Sequence, residues 1–274
     1  PYKRINAMIN IDFIKNELEK SNWATLNKKE WSKLAPVFDK INNSQNNKLT
    51  IEEFEYFTTH LQKIINQKET ILFHDDFFLQ MLENLITHVN MKMNPIFFDN
   101  EDDQLAFEVN QRDIQMARNL IHYKERNPNA KIIVWLANFH GASNLKEVTF
   151  ADSESNIYNK LTVFGEHLKN KYSDKVYSIA TTSSKGFSKM PYNIESIKET
   201  KIISPEESLE FELDKQNINL GFVDFNEFNQ KNPKKIEELF SSIMLGHINQ
   251  EGKWLKVFDG LLYIKENEIA LPKN

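Results

Sequence analysis

Apolar residues recur at helical spacing through the first third of the chain, in IDFIKNELEK, EWSKLAPVFDKI, IEEFEYFTTHLQKIINQ and DFFLQMLENLITHVNM. Residues 1–92 are therefore expected to form a helical segment, broken at Ser21-Asn22, along Asn42–Asn47 and near Lys68. Trp23, Trp31, Phe38, Phe54 and Phe57 are the expected anchors between its helices. A polar acidic turn, DNEDDQ, precedes a helix predicted from Gln104 to Arg126, which Asn127-Pro128-Asn129 stops. The period then changes. AKIIVWLANF is a continuous apolar run rich in β-branched residues, the pattern of a strand buried on both faces. Further strands are predicted at 175–183, 220–225 and 260–264, with helices over Asn156–Lys171, Pro205–Leu213 and Lys234–Met244. Helix alternating with strand predicts an α/β fold: a mixed, mostly parallel sheet flanked by helices, with an N-terminal helical layer. The helical segment 1–92 is expected to pack on an α/β core over 93–274 as one structural domain.

Composition narrows the chemistry. The 274 residues contain no cysteine, which excludes disulfides, thiolate metal sites and a cysteine nucleophile. Lys and Arg number 34 against 39 Asp and Glu, and no basic block occurs, so nucleic acid is not an expected partner. No apolar run approaches a bilayer span, and the mean hydropathy of −0.55 agrees, so no membrane is expected either. The 7 glycines fall well below the roughly 19 that average usage would place here, leaving no glycine-rich phosphate loop. A cytoplasmic location is the default expectation.

Two stretches resemble metal sites, and each has a plainer structural reading. Asn42 to Glu53, NNSQNNKLTIEE, aligns with a calcium loop at several positions, with Glu53 at the twelfth. It lacks a carboxylate at the first position and a glycine at the sixth, and Lys48 adds positive charge. A helix–helix connection whose second helix opens with a Thr50–Glu53 capping box accounts for the same residues. His74-Asp75-Asp76 reads as the polar start of a helix. No metal site and no cofactor is expected.

Candidate chemistry gathers at residues 108–144. Ligands of open α/β sheets bind at the carboxyl ends of strands, and the strand expected at 131–136 ends in LANFHGASN. His140, Asn138 and Asn144 are thereby placed at such an edge, beside the small residues Gly141, Ala142 and Ser143. A histidine there can act as general acid or base, or it can be a hydrogen-bonded structural residue. On the preceding helix Arg112 shares a face with Glu108. Its guanidinium can clamp a carboxylate or an oxyanion, or simply pair with Asp113. Asn138 can bind substrate or serve as a turn residue. The expectation is that His140 and Arg112 meet at one hollow.

The stretch RDIQMARNLIHYKERNPNAKIIVWLANFHGASN, Arg112–Asn144, resembles the core motif of the erythromycin esterase family. That motif runs Arg-Asp, Met-Ala, Asn, then a Lys-led apolar strand ending in Asn-x-His. VFGEHLKNKYSDKVYSIATTSSKGF, ESLEFELDKQNINLGFVDF and KVFDGLLYI resemble later segments of the family, so the likeness covers about 104–265. The resemblance implies water-mediated hydrolysis of an ester such as a macrolide lactone, and hence a role in antibiotic resistance. His140 matches the family's second active-site histidine, and Arg112 the arginine of its Arg-Asp motif. Two departures stand out. Ala137 occupies a position where many members carry a further histidine, and the family's Gly-Glu-x-x-His motif, which supplies the water-activating histidine, is absent.

The chain is therefore expected to be the C-terminal portion of a longer protein, with its catalytic base outside these residues, or else a natural remnant. His140 and Arg112 are the expected catalytic residues, and Asn138, Asn144 and Glu108 the expected substrate contacts. Its partners would be a small-molecule ester and its own N-terminal segment. A non-catalytic small-molecule-binding module on the same fold is the alternative.

Overall fold

The apolar stripes read from the sequence become the core of a helical unit. The computed structural model describes residues 10–20, 26–43, 49–67, 76–93, 98–150, 156–188 and 199–269. The chain divides into two units, Pro1–Asn119 and Leu120–Asn274. In the first, helices α1 (Ile11–Lys20), α2 (Lys28–Asn43), α3 (Ile51–Asn66) and α4 (Asp76–Lys92) turn their apolar faces inward. Ile14 and Leu18, Leu34 and Phe38, Phe57, Leu61 and Ile64, and Leu82, Leu85 and Val89 are buried at three- and four-residue intervals. Phe38 and Phe57 meet edge to face with centroids 4.9 Å apart. Trp31 and Phe54 pack against this core, half-buried, while Trp23 lies outside the described residues.

Thr50 and Glu53 close the capping box expected of them. The Thr50 hydroxyl accepts the Glu53 amide at 3.2 Å, and the Glu53 carboxylate accepts the Thr50 amide at 3.0 Å. Lys40 also pairs with Glu53 and, as the largest cause, holds its carboxyl below the ordinary range. The one anionic group at a ligand position of the calcium look-alike is therefore engaged in local structure, and residues 44–48 of that loop lie outside the described residues.

The long helix α5 runs Glu101–Arg126, so the stretch expected as an acidic turn opens it instead. Asn100 caps it by accepting the Asp103 amide at 2.8 Å, and Glu101, Asp102 and Asp103 face the positive helix end. The boundary between the two units falls inside this helix.

The second unit holds α6 (Asn138–Gly141), β1 (Val148–Phe150), α7 (Phe164–Tyr172), β2 (Ile179–Thr182), β3 (Lys185–Ser188) and β4 (Thr200–Ile203). It continues with α8 (Leu209–Lys215), β5 (Leu220–Asp224), α9 (Phe225–Lys231), β6 (Phe240–Ser242), β7 (Gln250–Gly252), β8 (Gly260–Ile264) and β9 (Glu266–Asn267). Three small sheets result, ordered β1-β7-β6, β2-β8-β5 and β4-β3-β9. Pairing is parallel between β2 and β8 and between β3 and β9, and antiparallel in the other described pairs. The expected mostly parallel sheet is thus corrected to small mixed sheets. The inner face of β2-β8-β5 is buried at Ala180, Thr182, Leu261 and Tyr263. Asp259, just before β8, ties the unit together: its carboxylate accepts Lys169 Nζ at 2.7 Å, the Ser178 amide at 2.8 Å and Asn226 Nδ2 at 3.1 Å.

Two expected elements are corrected. Lys131–Leu136 joins no strand pairing among the described residues, and Ile133 and Trp135 are 96% and 89% exposed. A strand buried on both faces needs a paired edge and a layer on each side, and no described residue supplies these. The helix expected over Lys234–Met244 is a 3₁₀ turn, Pro233–Glu237, followed by β6. Pairing with β7 and a 2.9 Å hydrogen bond from the Trp254 indole to the Phe240 carbonyl outweigh local helix propensity there.

Candidate functional site

The His140 turn is built by backbone clamps on either side of it. Asn138 begins the one-turn helix α6, closed by the His140 amide on the Ala137 carbonyl at 3.0 Å and the Ala142 amide on the Asn138 carbonyl at 2.9 Å. The Asn138 side chain reaches the outer edge of β2. Its Nδ2 donates to the Thr181 carbonyl at 2.6 Å and to the Met244 carbonyl at 2.7 Å, while its Oδ1 accepts the Thr181 amide at 3.0 Å. Both amide hydrogens are thereby used, and the oxygen is engaged.

Beyond His140, the Gly141 carbonyl accepts the Ser178 hydroxyl. Ser143 bonds the Val257 carbonyl through its amide at 2.9 Å and its hydroxyl at 2.8 Å. Gly165, in the first turn of α7, lies against this stretch. A Cβ there would stand 2.4 Å from the Gly141 carbonyl oxygen and 2.5 Å from that of Ala142. Only a glycine lets α7 approach so closely. His140 itself is half-buried and meets the Phe139 ring edge to face at 5.1 Å. Asn144 is half-buried at the start of a 3₁₀ turn, Leu145–Glu147, where its side chain makes no cap hydrogen bond.

A buried carboxylate lies in the same hydrogen-bond network. Glu210, fully buried in the first turn of α8, accepts the Thr182 hydroxyl at 2.7 Å, the Ser242 hydroxyl at 2.6 Å and the Ile243 amide at 3.2 Å. The Met244 amide reaches the Ser242 hydroxyl at 3.3 Å, and the Met244 carbonyl is the one Asn138 holds. The connection from Glu210 through Ser242 and Met244 to Asn138 joins α8, β6, its following turn and α6. Burial raises the Glu210 carboxyl, against the hydrogen bonds from Ser242 and Thr182. His247 sits in that same turn with φ at +60°, and burial lowers its imidazole below the ordinary histidine range.

Neither Glu210 nor His247 was identified from sequence. A glutamate in the first turn of a helix has the pattern of a solvated residue, and His247 stands between Gly246 and Ile248 with no acidic residue or second histidine beside it.

Arg112 and Glu108 belong to the first unit, whereas Asn138, His140 and Asn144 belong to the second. Arg112 Nε lies 3.6 Å from a carboxylate oxygen of Asp113, which is fully buried. Glu108 accepts Lys92 Nζ at 2.6 Å and Gln104 Nε2 at 3.1 Å. On neighbouring turns, Thr87 donates to Gln115 at 2.9 Å and Asn119 to Asn84 at 2.9 Å, giving the α4–α5 contact a polar seam. Among the described residues no group of three His, Asp or Glu is arranged to hold a metal ion, and no helix is long and apolar enough to cross a membrane.

A family model described as erythromycin esterase matches residues 21–267. The chain belongs to the erythromycin esterase family. The resemblance carried by Arg112–Asn144 therefore holds over a longer stretch than 104–265. Membership supports an esterase-like hydrolase at the level of the family. No curated protein matches the chain.

Solved structures with this fold include a succinoglycan biosynthesis protein, at a TM-score of 0.67 and 14% identity, over 95% of this chain and 61% of that one. Another is a protein from Bacillus cereus, at a TM-score of 0.69 and 20% identity, over 94% of this chain and 64% of that one. Both likenesses concern the fold alone. This erythromycin esterase family chain spans less than two thirds of the length of either.

Proposed function

We propose that the protein takes part in hydrolysis of a carboxylic ester of the macrolide lactone type, with His140 and Arg112 as its catalytic residues. The observation that carries this reading is the double clamp on the His140 turn, which fixes the backbone carrying that histidine in a chain of this family. In the reaction, water oxygen bonds to the acyl carbon and the acyl carbon–oxygen bond of the ester breaks. One water proton passes to a general base, assigned to a histidine outside these 274 residues, and the departing alkoxide takes a proton from His140. Arg112 stabilises the oxyanion that forms between these events. Asn144 is assigned a substrate contact. Asn138 and Glu108, already bonded to the backbone and to Lys92, are assigned positioning roles.

The test is hydrolysis of erythromycin and of an aryl ester by the complete product of the gene. His140→Ala is expected to lower kcat by about 10²–10⁴-fold, and Arg112→Ala by about 10²–10³-fold. The 274-residue chain alone is expected to be nearly inactive. Turnover by that chain which His140→Ala abolishes would show the base to lie within it.

Ala137, in place of the further histidine many members carry, favours a second reading, a small-molecule-binding module that keeps the fold without turnover. Calorimetric binding of erythromycin by the complete gene product with no hydrolysis over hours would decide for it.

A further inference from the structure

Two side chains cross the gap between the end of β2 and the turn that follows β6. These strands belong to different sheets, β2-β8-β5 and β1-β7-β6. Among the described residues no backbone hydrogen bond joins 179–184 to 240–247. Asn138 is one crossing: it holds the Thr181 backbone on one side and the Met244 carbonyl on the other. Glu210 is the second, and it grips the neighbouring residues. On the β2 side it accepts the Thr182 hydroxyl at 2.7 Å; on the β6 side it accepts the Ser242 hydroxyl at 2.6 Å and the Ile243 amide at 3.2 Å. Both ties therefore act on the same gap, one residue apart on either side.

The two ties differ in kind. Asn138 is half-buried and begins the turn that carries His140, two residues on. Glu210 is fully buried in α8, outside that turn. Burial is the largest cause of the raised Glu210 carboxyl, and no cation is among the groups that shift it. A buried ionisable group without an ion-pair partner costs stability that a leucine in its place would not. What the carboxylate supplies instead is direction: its Oε1 accepts from Thr182 and Ser242 at once, and so fixes the separation of the two sides.

We propose that Glu210 is a positioning residue for the His140 turn: by fixing the end of β2 against the turn after β6, it holds the Thr181 and Met244 groups at the separation that Asn138 spans. The proposal rests on the reading of His140 as proton donor to the departing alkoxide. Without Glu210, Asn138 alone crosses the gap. Its side chain must then follow any change in that spacing, and α6 moves with it. A displacement of about 1 Å in a proton donor can cost about 10²-fold in rate. Ground-state binding of the ester rests with other groups, so the effect falls on kcat rather than KM.

Three variants of the complete gene product test it. Glu210→Leu removes the tie and fills its volume. Thr182→Val keeps the shape of its residue and cuts only the β2 side, leaving the carboxyl bonded to Ser242 and Ile243, so the test survives if Glu210→Leu fails to fold. Glu210→Gln retains an oxygen able to accept all three donors. Glu210→Leu and Thr182→Val are each expected to lose about 10–100-fold in kcat with KM within about threefold of the parent, and Glu210→Gln to keep kcat within about threefold. The ring resonances of His140, followed with isotope-labelled histidine, are expected to shift in the first two variants and to match the parent in Glu210→Gln. Parental kcat in folded Thr182→Val or Glu210→Leu would overturn the proposal even where the thermal midpoint falls, because a residue that only stabilises behaves that way. A parent that hydrolyses no ester sinks the hydrolase reading instead, and the resonances then decide: shifted in both variants they support the tie, unshifted they overturn it.

Discussion

Asn138 and Thr181 exchange hydrogen bonds as facing strand residues do: the Asn138 amide nitrogen donates to the Thr181 carbonyl at 2.6 Å, and its oxygen accepts the Thr181 amide at 3.0 Å. One side chain thus stands in for a strand at the edge of β2, and also holds the Met244 carbonyl at 2.7 Å. Asn138→Asp replaces the two donor hydrogens with an acceptor facing two carbonyls. A loss of about 2–3 kcal/mol is expected from the stranded acceptors, measured as a lower urea midpoint with unchanged m-value. A midpoint equal to the parent's would show that this clamp contributes nothing to the fold.

Gly165 sets the approach of α7 to the same turn. In Gly165→Ala the new methyl would overlap the Gly141 and Ala142 carbonyl oxygens, at 2.4 and 2.5 Å. Backbone cannot swing aside as a side chain can, so α7 must shift. A cost of about 1–3 kcal/mol is expected, with the perturbation centred on 138–143 in amide chemical shifts.

Glu210 makes a pH prediction. Burial, the largest cause, raises its carboxyl above the ordinary value of 4.5. The native protein therefore keeps this proton over a range where the unfolded chain has released it. The stability so contributed is present in full below pH 4.5 and is lost as pH rises through the raised value. Glu210→Gln, neutral at every pH, is expected to gain stability over the parent as pH climbs past that window. Glu210→Ala instead strands the Thr182 and Ser242 hydroxyls and the Ile243 amide, and is expected to be destabilised by about 2–4 kcal/mol at neutral pH. Denaturation of both variants between acid and neutral pH checks the sign.

His88 and His247 work in the opposite sense. Burial lowers both imidazoles below the ordinary 6.5, and Lys92 adds to the effect at His88. The unfolded chain then binds protons that the native chain does not, so this stability is present above pH 6.5 and is lost as pH falls below it. His88→Leu and His247→Leu are each expected to flatten the fall of stability between pH 6.5 and the lowered native values, as followed by thermal midpoints.

The legibility of the chain was uneven for identifiable reasons. The helices of the first unit follow from spacing, because a stripe at three and four residues has one way to be buried. The Thr50–Glu53 cap followed from four adjacent residues for the same local reason. The strand expected at 131–136 did not appear, although its residues have strand composition. Pairing is a property of a partner edge, and no described residue provides one. Over 234–244 the pattern pointed to a helix, but β7 and Trp254 lie distant in sequence and drew the chain into β6. His140, Arg112, Asn138, Asn144 and Glu108 are candidates that the sequence alone proposes. The amide geometry that ties Asn138 to β2 is not legible there, and neither is Glu210.

Local spacing and residue type determined the helical layer, the motif from Arg112 to Asn144 and the absence of thiol chemistry. These depend on neighbours within a few positions, where steric and hydrogen-bonding rules act without reference to the rest of the chain. The tertiary structure alone decided which polar groups share a network: Asn138 with Thr181 and Met244, and Glu210 with Thr182, Ser242 and Ile243. Those partners lie tens of residues apart, and burial makes each contact count, because a polar group removed from water must find its partner wherever the fold has carried it.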